Sequence, residues 1–236
     1  MFLQNRENKN TKFIFDYKKA DVNGDGLEDE VFLTGEKPLG PQSFLINNIT
    51  INIRDGKDQT LYKIIPKQNS GYTPKLFLGD LTNNGIKDIL LSIFSGSTNE
   101  ESFYFIYSFK NNKEKLLFNS KEFNKLEPYK INFEDNYKVN ITNTKTFTLS
   151  LINKNKEYKD YIYDKEGKLK RPTTGSISPL ISLTPISINQ TNSFKLQTKQ
   201  KLIGYYSADI LGELTTDLIF NGKEFIISND NITLHQ

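Results

Sequence analysis

Alternation of apolar and polar positions is the main pattern along this chain. Ile49, Ile51 and Ile53 alternate with Thr50 and Asn52, and the stretches 138–141 and 147–151 alternate in the same way. The segment 103–109, FYFIYSF, is rich in aromatic residues and predicts a more deeply buried strand. The strongest helical candidates are short, at 119–126 and 207–214. The pattern therefore predicts an all-β protein.

Polar turns ending in lysine recur between these stretches. They are Asp55-Gly56-Lys57, Asn111-Asn112-Lys113, Glu166-Gly167-Lys168 and Asn221-Gly222-Lys223, with central residues 55 or 56 positions apart. Such pairs favour tight hairpin turns in which both central residues have positive φ. The segment 153–156, NKNK, is an alternative turn for the third copy.

A second recurring feature is an acidic loop, which begins at Asp21, at Asp80 and, in weaker copies, at Asp135 and Ser187. Together the two series predict one domain over 1–236 made of about four units of roughly 55 residues. The approximate units are 11–66, 67–125, 126–175 and 176–236. This organisation indicates a β-propeller-like repeat domain, with a twisted β-sandwich as the alternative. Chance spacing of common turn residues is the competing interpretation.

Composition narrows the function classes. The net charge is only +3, and Lys and Asp or Glu are mixed along the chain, which argues against a nucleic-acid partner. Cysteine is absent, which excludes disulfides and thiolate chemistry. A run of about 18 apolar residues is also absent, so we expect no membrane insertion. The first residues lack a signal-peptide core, so an exported form requires a leader that has been removed.

The first acidic loop has the spacing of a calcium site. Calcium takes six to eight oxygen ligands, and alternate residues of a short loop can provide them. Asp21, Asn23 and Asp25 supply side-chain oxygens, Gly26 permits the bend, Leu27 offers its carbonyl, and Asp29 completes the set. Position twelve is Phe32 rather than glutamate, so the loop is expected between strands and not in an EF-hand. An Asx turn without metal is the alternative.

The second acidic loop predicts a weaker calcium site. Asp80, Thr82, Asn84 and Asp88 offer side-chain oxygens, and Ile86 offers its carbonyl. Only two of these are carboxylates, and ligand charge controls calcium affinity. The copy at 187–195 lacks carboxylates and carries Lys195, so we expect no metal there.

The first loop, followed by Glu30-Val31-Phe32-Leu33, resembles the calcium loop of FG-GAP or VCBS-type repeats, and 78–91 resembles the strand-loop-strand core of such a repeat. These repeats occur in integrin α-subunit propellers and in many bacterial surface proteins. The resemblance implies blade-like sheets and a structural calcium ion, and it implies no catalytic activity.

Most enzyme chemistry is difficult to place on this chain. His235 is the only histidine and lies next to the end of the sequence, so histidine-based triads and zinc hydrolases of the usual kind are excluded. Carboxylate chemistry remains open, but no pair is singled out among the candidates, which are Glu100, Glu101, Glu134, Asp135, Asp209, Glu213 and Asp217. The segment 205–209, YYSAD, is a candidate groove lining, since exposed tyrosines serve recognition.

The sequence therefore predicts a non-enzymatic, calcium-stabilised binding or scaffold module. A bacterial surface or secreted location is expected, because loops with few carboxylates suit the millimolar calcium outside cells. A cytoplasmic location stays open. The ligand is an unidentified protein or glycan. The alternative function is a carbohydrate-active enzyme that uses two carboxylates.

Overall fold

A computed structural model describes residues 11–98, 100–126, 128–188 and 194–235. The protein is all-β, as the alternation predicted. The strands are β1 Lys12–Ala20, β2 Asp29–Glu36, β3 Asn47–Arg54, β4 Leu61–Ile64, β5 Tyr72–Gly79, β6 Asp88–Phe94, β7 Ser102–Ser108, β8 Lys115–Asn119, β9 Lys130–Glu134, β10 Lys138–Thr142, β11 Thr146–Ser150, β12 Ser176–Ile177, β13 Ser182–Ser187, β14 Phe194–Ile203, β15 Ile210–Phe220 and β16 Phe225–Leu234. Two short α-helices accompany them, α1 Ser120–Phe123 and α2 Lys156–Ile162, with a 3-10 helix at Lys110–Asn112.

The described residues divide into two compact units. Unit 1 takes its residues from 11–120, 187–195 and 220–225, and unit 2 takes them from 121–186, 196–219 and 226–235. Each unit has its own cluster of buried side chains.

Unit 1 contains two four-stranded antiparallel sheets of the same topology. The first has the order β1-β2-β3-β4 and the second has the order β5-β6-β7-β8. In both sheets the acidic loop joins the first strand to the second: 21–28 precedes β2, and 80–87 precedes β6. The predicted units 11–66 and 67–125 each contain one of these sheets.

The core of unit 1 explains why these segments form strands. Residues alternate between buried and partly exposed along β2, and Ile49, Ile51 and Ile53 of β3 are fully buried. In β7 four consecutive residues, 104–107, are buried, which confirms the prediction of a more deeply buried strand. Side chains from both sheets form one cluster, in which Leu33 and Ile51 of the first sheet join Leu91 and Phe105 of the second.

Unit 2 has a different arrangement of strands. One sheet has the order β11-β10-β9, and the other has the order β12-β14-β15-β16, with β13 also paired to β14. The buried cluster of unit 2 includes Val139, Ile141, Ile162, Leu211 and Leu214. The predicted units 126–175 and 176–236 therefore do not contain the four-stranded arrangement of unit 1.

Three of the four predicted turns join neighbouring strands. The segments 55–57, 111–113 and 221–223 follow β3, β7 and β15 and precede their partners. The fourth, 166–168, instead lies within a bridge between Tyr163 and Leu169, just after α2. Asn111 and Asn112 both have positive φ, as a tight hairpin turn requires.

The helical predictions were less accurate. The segment 119–126 contains α1, but 207–214 contains a turn and the first residues of β15. The pattern missed α2, which begins after Asn155, whose side chain accepts a hydrogen bond from the Tyr158 amide as an N-cap. Within the described ranges, neither helix has the length and apolar character needed to cross a membrane.

Candidate functional site

The first acidic loop, 21–29, connects β1 to β2 in unit 1. Asp21 follows the last residue of β1, and its carboxylate accepts backbone hydrogen bonds from Gly24 (2.6 Å, to Oδ1) and Gly26 (2.9 Å, to Oδ2). Both glycines have positive φ, +86° and +88°, which other residues adopt at a cost. The carboxylate of Asp21 therefore holds the chain in a tight ring around itself.

Asn23 and Asp25 continue the same pattern at alternate positions. Oδ1 of Asn23 accepts from the amide of Asp25, and Oδ1 of Asp25 accepts from the amide of Leu27, both at 2.9 Å. Asn23 is buried, whereas Asp25 and Leu27 are exposed. The loop thus arranges side-chain oxygens at positions one, three and five, with the bend at Gly26.

Asp29 is the last residue of the first acidic loop and holds its two ends together. It is fully buried, and its carboxylate accepts from the amides of Val22 and Gly56, each at 3.0 Å, and from the side chain of Asn23 at 3.4 Å. Burial raises the pKa of Asp29, although these hydrogen bonds oppose the shift. Asp29 therefore anchors both ends of the loop and the following turn.

Asp55 is a buried residue of this site that the sequence analysis treated only as part of a turn. Oδ2 of Asp55 accepts from the side-chain amides of Asn23 (3.2 Å) and Asn112 (2.8 Å). Oδ1 accepts from the amides of Lys57 (2.7 Å) and Asp58 (3.4 Å). The hydrogen bond from Lys57 is the main cause that lowers the pKa of Asp55. The only sequence signal was its place in the Asp-Gly turn.

The second acidic loop, 80–88, has a hydrogen-bond pattern similar to that of the first. Asp80 accepts from the amides of Asn84 (3.0 Å) and Gly85 (2.8 Å), and Asn84 accepts from the amide of Ile86 (2.8 Å). Asp80 is buried, and Gly85 has a φ of +86°. The structure therefore brings Asp80 and Asn84 together around the bend, as the sequence predicted for a loop of this type.

Asp88 and Thr82 form the base of the second loop. One oxygen of Asp88, Oδ2, accepts from the amides of Leu81 and Thr82 (both 3.0 Å) and from the Thr82 hydroxyl (2.9 Å). Burial raises the pKa of Asp88 to about 6, and the negative charge of Asp80 contributes to the rise. A cation in this loop would favour the ionised form and lower that pKa.

The two acidic loops lie against each other within unit 1. The amide of Lys87 in the second loop donates to the carbonyl of Asp21 at 3.2 Å, and the turn after β7 adds a contact to the first loop, from the amide of Asn111 to the carbonyl of Asn23 at 2.8 Å. The side chain of Ile86 covers Gly24 so closely that an added Cβ would lie 2.5 Å from Ile86 Cδ1. Occupancy of one loop is therefore expected to influence the other.

These contacts fit two interpretations of the loops. Most of the alternate side chains accept a backbone amide, as in Asx turns that need no metal, whereas the hydroxyl of Thr82 donates to Asp88. Carboxylate and amide oxygens have a second lone pair, so the same hydrogen bonds leave capacity for a cation. Among the described residues, no three His, Cys, Asp or Glu side chains are grouped closely enough to hold a metal ion. Any calcium ligation here would therefore draw on Asn side chains, backbone carbonyls and water as well as carboxylates.

The other candidate residues lie outside the two acidic loops. The predicted loop at 187–195 falls largely on residues 189–193, which lie outside the described residues. Among the candidate carboxylates, Asp209 bonds the Tyr158 hydroxyl, Glu213 pairs with Lys199 at 2.8 Å, and Asp217 accepts from Gln197 at 3.2 Å. Each of these three therefore has a structural partner.

Comparison with known proteins gives a family but no described activity. A family model described as the YybI C-terminal domain matches residues 127–233. A protein of Bacillus subtilis (strain 168), described as "Uncharacterized protein YybI", is 33% identical over 232 residues, which cover 97% of this chain and 88% of that protein. No solved structure matches the chain.

Proposed function

The chain belongs to the YybI family, and we propose that it is a non-enzymatic binding or scaffold module stabilised by calcium. The observation that carries the proposal is the pair of adjacent acidic loops in unit 1. Each loop presents oxygens at alternate positions around a glycine with positive φ.

The physical role of calcium in this proposal is to neutralise charge that folding concentrates. Asp21 and Asp25 of the first loop, and Asp80 and Asp88 of the second, lie in loops that contact each other. Like charges brought together disfavour the folded state, and a divalent cation bound only by the folded state stabilises it by mass action. Calcium therefore acts on folding rather than on chemistry.

We extend the proposal to the architecture of residues 11–125. Two four-stranded antiparallel sheets with an acidic loop between their first two strands support a blade-like repeat of the FG-GAP or VCBS kind. Contact between the first strands supports it further, since the amide of Leu76 in β5 donates to Asp16 of β1 at 2.8 Å. We propose that these two sheets are the propeller-like blades of the protein.

The same proposal favours a calcium-rich location outside the cell or on its surface. With few carboxylates per loop, we expect weak sites that fill only at near-millimolar calcium. Inside a cell such loops would stay empty and act as Asx turns.

Thermal unfolding with and without calcium tests the proposal. The chain is stripped of metal and scanned in buffer alone, with calcium and with magnesium. A cation at about 100 times its Kd adds about 2.7 kcal/mol, which corresponds to roughly 5–10 °C for a chain of this size. We expect that rise with calcium and a smaller one with magnesium.

Two variants locate the effect. Asp25→Ala removes an exposed carboxylate whose described hydrogen bond is to one backbone amide, so the fold is expected to survive while the calcium-dependent rise is lost. Glu166→Gln removes an exposed carboxylate from a turn in unit 2 and should keep the rise. A melting temperature that ignores calcium, or an equal rise in Asp25→Ala, contradicts the proposal.

A further inference from the structure

A pocket lined by tyrosines lies within unit 2, separate in sequence from the acidic loops. Its volume is about 330 Å³, at the lower end of the range of small-molecule sites. Four of its lining residues are tyrosines, and the lining consists of Asn155, Glu157, Tyr158, Tyr161, Tyr205 and Tyr206. The residues come from α2 with its N-cap and from the turn before β15.

The rings of the pocket are set at steep angles to each other. Tyr205 and Tyr206 are nearly perpendicular (89°) with centroids 6.4 Å apart, and Tyr161 and Tyr205 are tilted by 50° at 6.1 Å. Tyr161 is 69% exposed and Tyr206 is 54% exposed. Two large aromatic rings thus face solvent at the mouth of a concavity, where a ligand would remove them from water.

A buried aspartate fixes this arrangement. Oδ2 of Asp209 accepts from the Tyr158 hydroxyl and from the amide of Tyr205 (2.9 Å), and Oδ1 pairs with Lys154 at 3.1 Å. One carboxylate therefore ties α2 to the turn that carries Tyr205 and Tyr206. The pocket is held in shape without a ligand, which lowers the entropic cost of binding.

The charges around the pocket discriminate against ionic ligands. Lys154 lies 5.1 Å from the centroid of Tyr158, so a cation already occupies that ring, and Arg171 donates to the Tyr205 hydroxyl at 2.8 Å. These cations disfavour a positively charged ligand. The carboxylates of Asp209, which pairs with Lys154, and of the exposed Glu157 balance these two cations, so the surroundings favour no anion either. A neutral ligand with both apolar and polar surface remains.

We propose that the pocket binds a neutral carbohydrate. A sugar ring has C–H faces that pack on the exposed rings of Tyr161 and Tyr206, and hydroxyls that bond the carboxylate of Glu157 and the amide of Asn155. This inference gives the proposed binding module a ligand class. It uses none of the residues of the acidic loops, so its test is independent of calcium.

The first experiment applies the full-length chain to an array of neutral oligosaccharides built from glucose, galactose, mannose and N-acetylglucosamine. Each sugar that binds is then titrated by calorimetry in metal-free buffer and again with calcium. We expect binding to at least one sugar, without hydrolysis, in both buffers. Proline-rich peptides, which also stack on aromatic side chains, are placed on the same array as the competing ligand class. The proposal is wrong if no sugar binds, or if only these peptides bind.

Variants of the two exposed rings identify the site. Tyr161→Ala and Tyr206→Ala should each weaken sugar binding roughly tenfold or more, since buried aromatic contacts are energetic centres of recognition. Tyr206→Phe keeps the stacking ring and should bind sugar several-fold more tightly than Tyr206→Ala. Phe44→Ala removes an aromatic residue that is 85% exposed in unit 1 and is the matched control. Unchanged melting temperatures show that the variants fold, and full affinity in both alanine variants overturns the proposal.

Discussion

At the scale of single residues, buried carboxylates hold the loops and turns of unit 1 together by hydrogen bonds. Asp55 accepts four hydrogen bonds, two from asparagine side chains and two from backbone amides. A buried polar group that loses its partners costs more than the bond itself contributes, because both partners are left unsatisfied. Asp55 therefore connects the first acidic loop to two turns at once.

Replacing Asp55 tests this role. In Asp55→Asn the new amide group would face the amides of Asn23 and Asn112, so we expect a loss of about 1–3 kcal/mol in the free energy of unfolding at pH 7. Because the pKa of Asp55 is lowered in the fold, its contribution is present above the unfolded value of 3.8 and is lost as the pH falls through the folded value. Urea titrations at pH 7 and pH 3.5 measure both effects.

Asp164 provides the matched control for Asp55. Its Oδ1 accepts from the amides of Glu166 (3.0 Å) and Lys168 (2.8 Å), and an asparagine oxygen can accept both. Asp164→Asn should therefore change the free energy of unfolding much less. Equal losses in the two variants would show that Asp55 serves only its own turn.

The pH dependence of Asp88 is expected to have the opposite sign. Its pKa is raised from 3.8 to about 6, so the folded protein retains a proton that the unfolded chain has already released. The resulting stabilisation is complete below about pH 4 and is lost as the pH rises through about 6. Asp88→Asn keeps an oxygen for the three donors and removes the charge. Its free energy of unfolding should therefore rise, relative to that of the wild type, by on the order of 3 kcal/mol between pH 4 and pH 8.

Chemical denaturation from pH 4 to pH 8 in metal-free buffer measures the difference between Asp88→Asn and the wild type. Added calcium at pH 8 should reduce that difference, because a cation favours the carboxylate. A difference that stays constant over this range would show that Asp88 keeps its ordinary pKa.

The oxygen-bearing residues of both loops were visible in the sequence because their spacing is local. Asp21, Asn23 and Asp25 lie where the alternate positions predicted, around a bend at Gly26. The partners from other strands were not visible. Asp55, 32 residues from Asn23, reaches the loop because β3 pairs with β2, and Asn112, 89 residues from Asn23, reaches Asp55 from a turn of the other sheet. Turn chemistry does not encode such contacts.

At the scale of elements, the turn after β3 differs from the tight hairpin that its Asp-Gly pair predicts. Gly56 does not have positive φ, and Gln59 does, at 64°. The glycine is required for another reason, since a Cβ at position 56 would lie 2.3 Å from the carbonyl oxygen of Glu28. The first acidic loop packs its backbone directly on this turn, and the amide of Gly56 donates to Asp29.

This close approach predicts a large effect for Gly56→Ala. The clash is with backbone, which cannot rotate away, so we expect a loss of about 1–3 kcal/mol or more in the free energy of unfolding. Gly26→Ala is the control: it has a φ of +88° but nothing within 4 Å of its added Cβ, so only the conformational cost of about 1–2 kcal/mol applies.

Urea titration of both glycine variants gives the comparison. A larger loss in Gly26→Ala than in Gly56→Ala would show that positive φ, and not the packing of Glu28 on the turn, limits this element. Since both positions belong to the first acidic loop or touch it, calcium should be absent during the measurement.

Helix α2 could not be predicted from the hydrophobic pattern of its sequence. It has seven residues, and only Tyr158 and Ile162 are buried, so it offers one apolar pair rather than a stripe. The N-cap at Asn155 was the usable signal, but it lies in a segment of alternating Asn and Lys that also predicts a turn. Short helices of this kind depend on tertiary packing rather than on their own propensity.

At the scale of the whole molecule, the repeat predicted over four units describes only part of the chain. The first two predicted units contain equivalent sheets, because in both the acidic loop and the turn are flanked by strands of similar length. In unit 2 the turn at 166–168 recurs at the right spacing, but α2 precedes it and strand pairing differs. The spacing of turns is a local property of the sequence, whereas the pairing of strands depends on which apolar faces pack together in the fold.

Two separate cores and two kinds of candidate site suggest a division of roles between the units. Calcium, if it binds as proposed, contacts oxygens of unit 1, and a sugar contacts tyrosines of unit 2. Hydrogen exchange followed by mass spectrometry distinguishes the two ligands, because bound ligand slows exchange most where it holds local structure closed. We expect calcium to slow exchange most at 21–29 and 80–88, and an oligosaccharide identified on the array to slow it most at 154–161 and 205–209.

The two outcomes of hydrogen exchange are independent. Calcium protection that is strongest at 154–161 would move the metal site away from the acidic loops, and it would contradict the function proposed for unit 1 while leaving the sugar pocket untouched. Sugar protection that is strongest in 21–29 would contradict the pocket alone. Asp25→Ala and Tyr206→Ala complete the comparison, since each should remove one protection pattern and preserve the other. A chain that loses both patterns in one variant would have a single site, and neither division of roles would hold.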